Sequence, residues 1–212
     1  MATQRANRMG GRDTKDGGKD ATPRRTTEWS KPFERNTVIA NAVKASVGLA
    51  AVTAALYYYV PIPVPPLPTL GQRVLYTLRL QTPSFLILMA SILDVSLTRL
   101  FTPALNPISG NAEHYVLFQN RFLRNHVEQM LLNVPGQLVL ATFIKEEHMK
   151  VIPILVLLFV FGRVAFYVGY RISYMKRTVG YMSSMVPSCV VWLFNAYFLW
   201  NALLNNETIA VK

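Results

Sequence analysis

The segment RFLRNHVEQMLLN contains four polar residues whose types and spacing could form a binding site. They are Arg121, Arg124, Asn125 and Glu128. In an α-helix, with about 100° per residue, these side chains fall within roughly a third of the helix circumference. The segment opens a hydrophobic helix long enough to enter a bilayer. There a charged side chain is costly unless it faces the bundle interior, a polar cavity or another charge. A one-sided cluster in such a helix therefore indicates a functional site.

Further polar residues are expected near this cluster, at the end of the bundle where one following helix ends and the next begins. The loop charges described below predict that this end faces the cytosol, and it is called the cytosolic rim. Guanidinium groups bind carboxylates through paired hydrogen bonds, and tyrosine hydroxyls at a boundary between water and apolar surroundings donate to the same ligands. Such a rim favours a small, soluble, multiply anionic ligand that enters from the cytosol. The alternative is that these side chains contact lipid headgroups. The rim residues are Arg124, Asn125, Tyr170, Arg177, Thr178 and Tyr181.

An ion pair between Glu128 and Arg163 is predicted from their depth in the membrane. Glu128 lies about seven residues, or roughly 10 Å, inside from Arg121, and Arg163 lies a similar distance inside from Arg171 on the next helix. In antiparallel helices the two charges would lie at one depth, where pairing offsets much of their desolvation cost. The pair either serves a site or only locks helix packing. Asp94 either partners one of these arginines or is a lone polar residue facing the bundle.

Several other chemistries lack the residues they need. The three histidines, His114, His126 and His148, have no spacing to acidic residues or cysteine that would form a convincing metal site, so no metal is predicted. Cys189 is the single cysteine, which excludes an intrachain disulfide and a CxxC redox pair. The serines of the last two helices have no nearby base, and the glycines form no phosphate-binding loop.

Composition places the chain among integral membrane proteins. Of 212 residues, 51% are hydrophobic and only 16% are charged, a balance that is unusual for a soluble domain. The net charge of +11 could suggest nucleic-acid binding. However, the basic residues lie in a polar N-terminal tail and at helix ends rather than among aromatics on one face. Contact with anionic lipid explains this charge, and no nucleic-acid partner is predicted.

The chain divides by composition into five parts. Residues 1–36 form a basic tail that cannot bury a core, too long and too mixed in charge to be a cleaved signal peptide. Residues 37–60 form a first transmembrane helix, 61–71 a proline-rich connector, 72–204 a four-helix bundle, and 205–212 a C-terminal tail. Each span is predicted from its hydropathy. The five predicted spans are Val38–Val60, Gln72–Phe101, Val116–Ile144, Val151–Tyr170 and Gly180–Leu204.

The loops predict the orientation. If the tail is cytosolic, alternate crossings place the basic residues around Arg121 and Arg177 on the cytosolic side. The opposite side then receives the uncharged connector and the nearly neutral turn KEEHMK. This arrangement agrees with the positive-inside rule and predicts a cytosolic N-terminus.

Three segments resemble the MAPEG superfamily, the membrane-associated proteins of eicosanoid and glutathione metabolism. Arg121, Asn125 and Glu128 match its second-helix pattern R-x-x-x-N-x-x-E, with Arg124 at another recurrent arginine. GRVAFYVGY, residues 162–170, and RTVGY, residues 177–181, are similar to the prostaglandin E synthase branch. The resemblance covers residues 72–204. The additional first helix is closer to the five-span, mattrin-like branch.

The resemblance implies an all-α fold with a four-helix MAPEG bundle and one extra N-terminal helix. It also implies a homotrimer that binds glutathione between subunits on the cytosolic side. Arg177 would stabilise the glutathione thiolate, since a nearby cation lowers the pKa of a thiol, and Thr178 would assist by hydrogen bonding. Phe166 stands where the prostaglandin branch has a histidine, and Thr178 where it has a serine. The residues that would hold glutathione are Arg124, Asn125, Glu128, Tyr170, Arg177 and Tyr181.

Two functions remain open at this stage. The first is a glutathione-dependent transferase, isomerase or peroxidase that acts on a lipophilic substrate in the endoplasmic reticulum or Golgi. The second, also implied by the resemblance, is a non-catalytic membrane protein in secretory trafficking or in restraint of Wnt receptor signalling. In that case its partners would be other membrane proteins, and the polar cluster would be structural.

Overall fold

The computed structural model describes residues 32–106, 108, 112–172 and 177–204. Most of the predicted N-terminal tail, residues 1–31, lies outside these ranges, as does the predicted C-terminal tail, residues 205–212. The structure contains six α-helices and, within the described ranges, no strand. An all-α fold is therefore confirmed. The helices are α1 (Pro32–Tyr59), α2 (Leu70–Leu80), α3 (Thr82–Leu100), α4 (Leu117–Phe143), α5 (Val151–Ile172) and α6 (Arg177–Leu204), with short 3₁₀ turns at Pro103–Leu105, Glu113–Val116 and Glu146–His148.

Four helical segments of the described chain are long and apolar enough to cross a membrane, which supports an integral membrane protein. They are Asn36–Tyr59, Leu70–Leu100, Glu146–Ile172 and Arg177–Leu204. The remaining predicted span, Val116–Ile144, corresponds to α4, which is as long as its neighbours but too polar to be among the four. Four of its polar side chains are buried against the other helices: His126, Gln129, Asn133 and Gln137.

The second predicted span is divided into two helices. Gln81 is both the C-cap of α2 and the residue before α3, and its backbone N–H bonds to Leu78 O at 3.1 Å. Pro83 has no N–H to continue the hydrogen-bond ladder, so the chain breaks here between α2 and α3. At its other end α2 begins with a capping box between Thr69 and Gln72. Together the two helices still form one membrane-length segment.

Hydrogen bonds and apolar packing fasten the proline-rich connector to the turn between α4 and α5. The backbone N–H of Leu67 donates to Glu146 Oε1 at 2.8 Å, and the Arg73 guanidinium donates to the Ile144 carbonyl oxygen. The Leu67 side chain is buried in a cluster that includes residues of α4, α5 and α6. Tyr57, near the end of α1, bonds through its hydroxyl to His148 Nδ1 at 2.9 Å. The connector is therefore packed onto the bundle.

Helices α5 and α6 approach to backbone contact at two glycines. A Cβ atom added to Gly180 would lie 2.2 Å from Phe166 N and 2.7 Å from Gly162 O, both backbone atoms. A Cβ added to Gly162 would lie 3.0 Å from Gly180 O. Glycine lets helices in membranes approach this closely, and here the approach sets where the start of α6 meets the end of α5.

Replacement of Gly180 by alanine is expected to destabilise the protein. Its methyl group would collide with backbone atoms, so α5 and α6 would have to separate. We expect the free energy of unfolding to fall by about 3 kcal/mol, the upper end of typical overpacking costs. Denaturant unfolding in detergent would measure the loss.

The matched control is Gly48→Ala, because nothing lies within 4 Å of a Cβ added to Gly48 in α1. Alanine forms helix better than glycine, by up to about 1 kcal/mol, so this variant should be as stable as the wild type or slightly more stable. Equal losses in both variants would contradict a specific collision at Gly180.

Candidate functional site

A cavity of about 520 Å³ lies where α4 and α6 begin and α5 ends. Five of the residues predicted for the rim or the activating group lie around it, together with Arg121 of the opening cluster. Val38 of α1, Phe166 and Met182 add apolar surface that the sequence did not predict. The lining residues are Val38, Arg121, Asn125, Phe166, Tyr170, Arg177, Thr178, Tyr181 and Met182.

The lining of this cavity consists of hydrogen-bond donors and cations on an apolar base. Arg121 and Arg177 contribute guanidinium groups, and none of the described residues that line the cavity carries a carboxylate. The Arg177 guanidinium lies 5.1 Å from the ring centre of Tyr170, which holds it beside the cavity by a cation–π contact. Tyrosine and threonine hydroxyls complete the set. Chemically, the cavity suits a ligand with several anionic or accepting groups.

Arg124 and Glu128 do not contribute to this cavity within one chain. Both side chains are exposed on α4 and are absent from the lining. The sequence placed them on the same helix face as Asn125 because all four cluster residues fall within one wide arc. That arc is broad enough to include both the cavity and the outer surface of α4. The structure therefore brings Arg121 and Asn125 to the cavity and leaves Arg124 and Glu128 outside it.

The predicted ion pair between Glu128 and Arg163 is wrong within the chain. Arg163 is fully buried and donates from Nη1 to Asn125 Oδ1 at 2.9 Å. Its Nη2 donates to Ser184 Oγ and, at 3.5 Å, to Gly180 O. Glu128 is exposed, and no ion pair links it to Arg163 among the described residues. Neutral acceptors on α4 and α6 bind its two terminal nitrogens instead.

The prediction failed because it used depth without direction around the helix. Asn125 and Glu128 are three residues apart and so differ by about 60° in direction around α4. Asn125 points toward α5, whereas Glu128 is turned toward the outer surface. Ser184, which the sequence did not assign to this cluster, lies four residues after Gly180 and therefore on the same face of α6. That spacing was the available signal for its role.

Aromatic rings form the wall behind the cavity. Phe166 stacks on Tyr170 with ring centres 5.8 Å apart, and on Phe122 at 5.9 Å. His126 is fully buried between Phe122 and Phe159, with ring centres 5.8 Å from each. His126 is therefore part of the packed interior, and Phe166 is a hydrocarbon surface at the cavity itself.

A second, mostly apolar groove of about 620 Å³ lies on the other side of this wall, between α3, α4 and α5. Asp94 lines it and accepts a hydrogen bond from the Tyr167 hydroxyl at 3.0 Å. The same hydroxyl accepts from Arg171 Nη2 at 2.7 Å. Of the two alternatives for Asp94, the structure supports neither in full: the carboxylate has a partner, but it reaches an arginine only through Tyr167.

A buried amide network, which the sequence analysis missed, connects α4 to α2. Gln81 Nε2 donates to Gln137 Oε1 at 2.8 Å, and Gln137 Nε2 donates to Asn133 Oδ1 at 3.0 Å. On the side of α6, Asn195 Nδ2 donates to Gly136 O at 2.9 Å. The four-residue spacing of Asn133 and Gln137 was visible in the sequence, but their partners are distant along the chain.

Comparison with known proteins gives a consistent result. The family model described as "MAPEG family" matches residues 84–197, more than half of the chain. The chain is 24% identical to transmembrane protein 79 of Mus musculus over 162 residues, 76% of this chain and 41% of that protein. It is 27% identical to transmembrane protein 79 of Bos taurus over 161 residues, 74% of this chain and 40% of that protein. The chain thus aligns with about two fifths of each relative. No solved structure matches significantly.

Replacement of Gln137 by methionine is expected to destabilise the bundle. The change keeps the size of the side chain but removes the partners of Gln81 Nε2 and Asn133 Oδ1, which are both buried. An unpaired buried polar group costs about 1–3 kcal/mol, so we expect a loss of that order in denaturant unfolding in detergent.

Gln129→Met is the matched control, since it makes the same change on the same helix. Gln129 is also buried, but its Oε1 has no hydrogen-bond partner in the described chain and its Nε2 donates only to Met185 Sδ at 3.4 Å. This variant should be as stable as the wild type or more so. The amide network has no special role if both variants lose the same stability.

Proposed function

The chain belongs to the MAPEG family, and on that premise we propose that the cavity between α4, α5 and α6 binds glutathione. In this proposal the protein is a glutathione-dependent transferase, isomerase or peroxidase acting on a lipophilic substrate. The observation that carries the proposal is the gathering of Arg121, Asn125, Tyr170, Arg177 and Tyr181 around one cavity of about 520 Å³. Family membership alone would not fix this function, because one fold serves several chemistries.

The cavity and the proposed ligand are complementary in charge. Glutathione carries two carboxylates, and a guanidinium can bind each through paired hydrogen bonds. Arg121 and Arg177 supply two such groups, and the hydroxyls of Tyr170 and Tyr181 supply further donors. The cavity volume lies within the usual range for small-molecule sites, about 300–1,000 Å³. These features support a tripeptide with two carboxylates over a lipid headgroup with a single phosphate.

Arg177 and Thr178 are proposed to act on the thiol that glutathione supplies. The Arg177 guanidinium favours the thiolate over the thiol by its charge, and its contact with the Tyr170 ring restricts its position. The Thr178 hydroxyl, which also lines the cavity, would donate a hydrogen bond to the sulfur. Arg121, Asn125 and the two tyrosines would orient the peptide.

A homotrimer is proposed because Arg124 and Glu128 are exposed on α4. Glu128 lies more than ten residues, about 16 Å or more, from the start of α4, so lipid around its carboxylate would be costly. A cation or hydrogen-bond donor from a neighbouring subunit would offset this cost. Such a contact would also bring both side chains to the cavity of that neighbour, where the family resemblance implies that they hold glutathione.

We further propose an endomembrane location with the cavity facing the cytosol. Arginines outnumber acidic side chains at the cavity end of the bundle, where Glu113 pairs with Arg99, whereas acidic and basic residues are balanced in the α4–α5 turn at the other end. This asymmetry agrees with a cytosolic N-terminus. Soluble glutathione could then reach the cavity without crossing the bilayer. The basic residues at the cavity end are Arg99, Arg121, Arg124, Arg171 and Arg177.

A non-catalytic membrane protein is the second candidate, and Phe166 favours it. Its ring lies in the cavity wall, where it offers no hydrogen bond to a ligand or a reacting group. In this alternative the protein acts in secretory trafficking or in restraint of Wnt receptor signalling, through contacts with other membrane proteins. Saturable glutathione binding without thiol transfer to any lipophilic electrophile would support it.

Replacement of Arg177 by alanine is expected to weaken glutathione binding at least tenfold. A tenfold change corresponds to about 1.4 kcal/mol, within the range for one lost charged hydrogen bond. Isothermal titration calorimetry of the detergent-purified protein would measure it. Arg79→Ala is the control, since Arg79 is also an exposed arginine but lies on α2 outside the cavity. Absence of saturable binding by the wild type would exclude the glutathione function.

The oligomeric state can be measured independently of the ligand. Native mass spectrometry of the protein released from detergent should show three copies per particle. Substitution of Glu128 by leucine should leave the trimer assembled, because it replaces a charge by an apolar side chain, but should lower glutathione affinity. A wild-type protein that is monomeric at all concentrations would contradict the trimer and the shared site.

A further inference from the structure

We propose that Arg163 is a positioning residue that fixes the Asn125 amide with its NH₂ group available to the cavity, and that this makes the cavity selective for anionic ligands. Arg163 does not line the cavity, but Asn125 does, and the two side chains are bonded to each other. The inference deepens the proposed function and rests on it in its ligand-binding part. The relation between the two side chains can be tested without any ligand.

The chemistry of the guanidinium determines the orientation of the amide. Arginine has five N–H donors and no acceptor. The Asn125 atom 2.9 Å from Arg163 Nη1 must therefore be the carbonyl oxygen, Oδ1. With Oδ1 engaged toward α5, the NH₂ group is the part of the amide left for the cavity. Asn125 thus acts as a donor there, in agreement with the arginines, tyrosines and threonine around it.

Arg163 is itself held rigidly, so it can act as a fixed reference for Asn125. Its side chain is fully buried, and Nη2 bonds to Ser184 Oγ and Gly180 O on α6. The rings of Phe159 and Phe166 lie 5.6 and 5.2 Å from its guanidinium carbon. A planar group bonded at two of its nitrogens and flanked by rings cannot turn without breaking several contacts. The orientation of Asn125 is therefore set before any ligand binds.

A neutral amide at residue 125 can accept a hydrogen bond from Arg163 and also donate one toward the cavity. A carboxylate could do only the first. A carboxylate would be a stronger partner for the buried guanidinium, because it would neutralise its charge. However, its second oxygen would be an acceptor directed toward the cavity, and its negative charge would repel an anionic ligand. Asparagine satisfies Arg163 through Oδ1 and leaves both the positive charge and a donor for the ligand. Stability and ligand choice should therefore respond oppositely to Asn125→Asp.

The first experiment compares Asn125→Asp with Asn125→Leu in full-length protein. Thermal unfolding in detergent should show Asn125→Asp with a melting temperature equal to or above that of the wild type. Asn125→Leu should melt several degrees lower, because it leaves Nη1 of Arg163 unpaired. Calorimetric titration with glutathione should show at least tenfold weaker binding for Asn125→Asp despite its stability. A melting temperature for Asn125→Asp as low as that of Asn125→Leu would overturn the inference, as would unchanged glutathione affinity in Asn125→Asp.

The second experiment repeats Asn125→Asp in an Arg163→Met background. Without the guanidinium, a carboxylate at this half-buried position loses the cation to which residue 125 is bonded in the wild type, so the same substitution should now lower the melting temperature. This reversal of sign measures direct coupling between residues 125 and 163. Equal shifts in both backgrounds would show that Arg163 does not position Asn125. If wild-type protein binds no glutathione, the proposed function fails, while the two melting experiments still decide whether Arg163 fixes this side chain.

Discussion

The end of the bundle that contains the cavity depends on the hydrogen bonds of the buried Arg163 guanidinium. A cation inside a membrane protein cannot rely on water, and an unpaired one would cost several kcal/mol. Here its hydrogen bonds go to Asn125 on α4 and to Ser184 and Gly180 on α6. Helices α4 and α6 must therefore both pack against α5 at this depth. The cavity lies where these helices meet. Asn125 both lines the cavity and bonds to Arg163.

Close helix packing makes these contacts geometrically possible. Gly180 allows the backbone of α6 to touch that of α5 at Phe166, and its carbonyl oxygen then comes within 3.5 Å of Arg163 Nη2. A larger residue would move Ser184 and the start of α6 away together. Arg177, Thr178 and Tyr181 lie within one turn of Gly180 and are positioned by the same crossing. A buried hydrogen bond also joins α4 to α2, since Gln81 at the end of α2 donates to Gln137 on α4.

The sequence predicted the helices and several residues of the cavity, because hydrophobic length and position along a helix can be read from a residue pattern. Hydrophobic length located α1, α5, α6 and the segment that α2 and α3 share. The place of Tyr170 and Arg177 at helix ends, together with the family resemblance, assigned both residues to the rim. What it could not predict is the rotation of each helix about its own axis. A mutual rotation of α4 and α5 decides whether Arg163 meets Asn125 or Glu128, and only the packing of the whole bundle fixes that rotation.

Ligand binding in the cavity and reaction with a lipophile in the neighbouring groove would make different demands on the structure. Asn125 and Phe166 line the polar cavity, whereas Phe122 and Arg163 line the apolar groove between α3, α4 and α5. The stacked rings of Phe122 and Phe166, 5.9 Å apart, form the partition between them. A thiol held in the cavity and a lipophile held in the groove could react only if they came within bonding distance. Binding alone leaves the partition intact. In the proposed function, a thiol in the cavity would have to pass these two rings to reach a lipophile in this groove, so movement of Phe166 is a step that transfer by this route would need and binding would not.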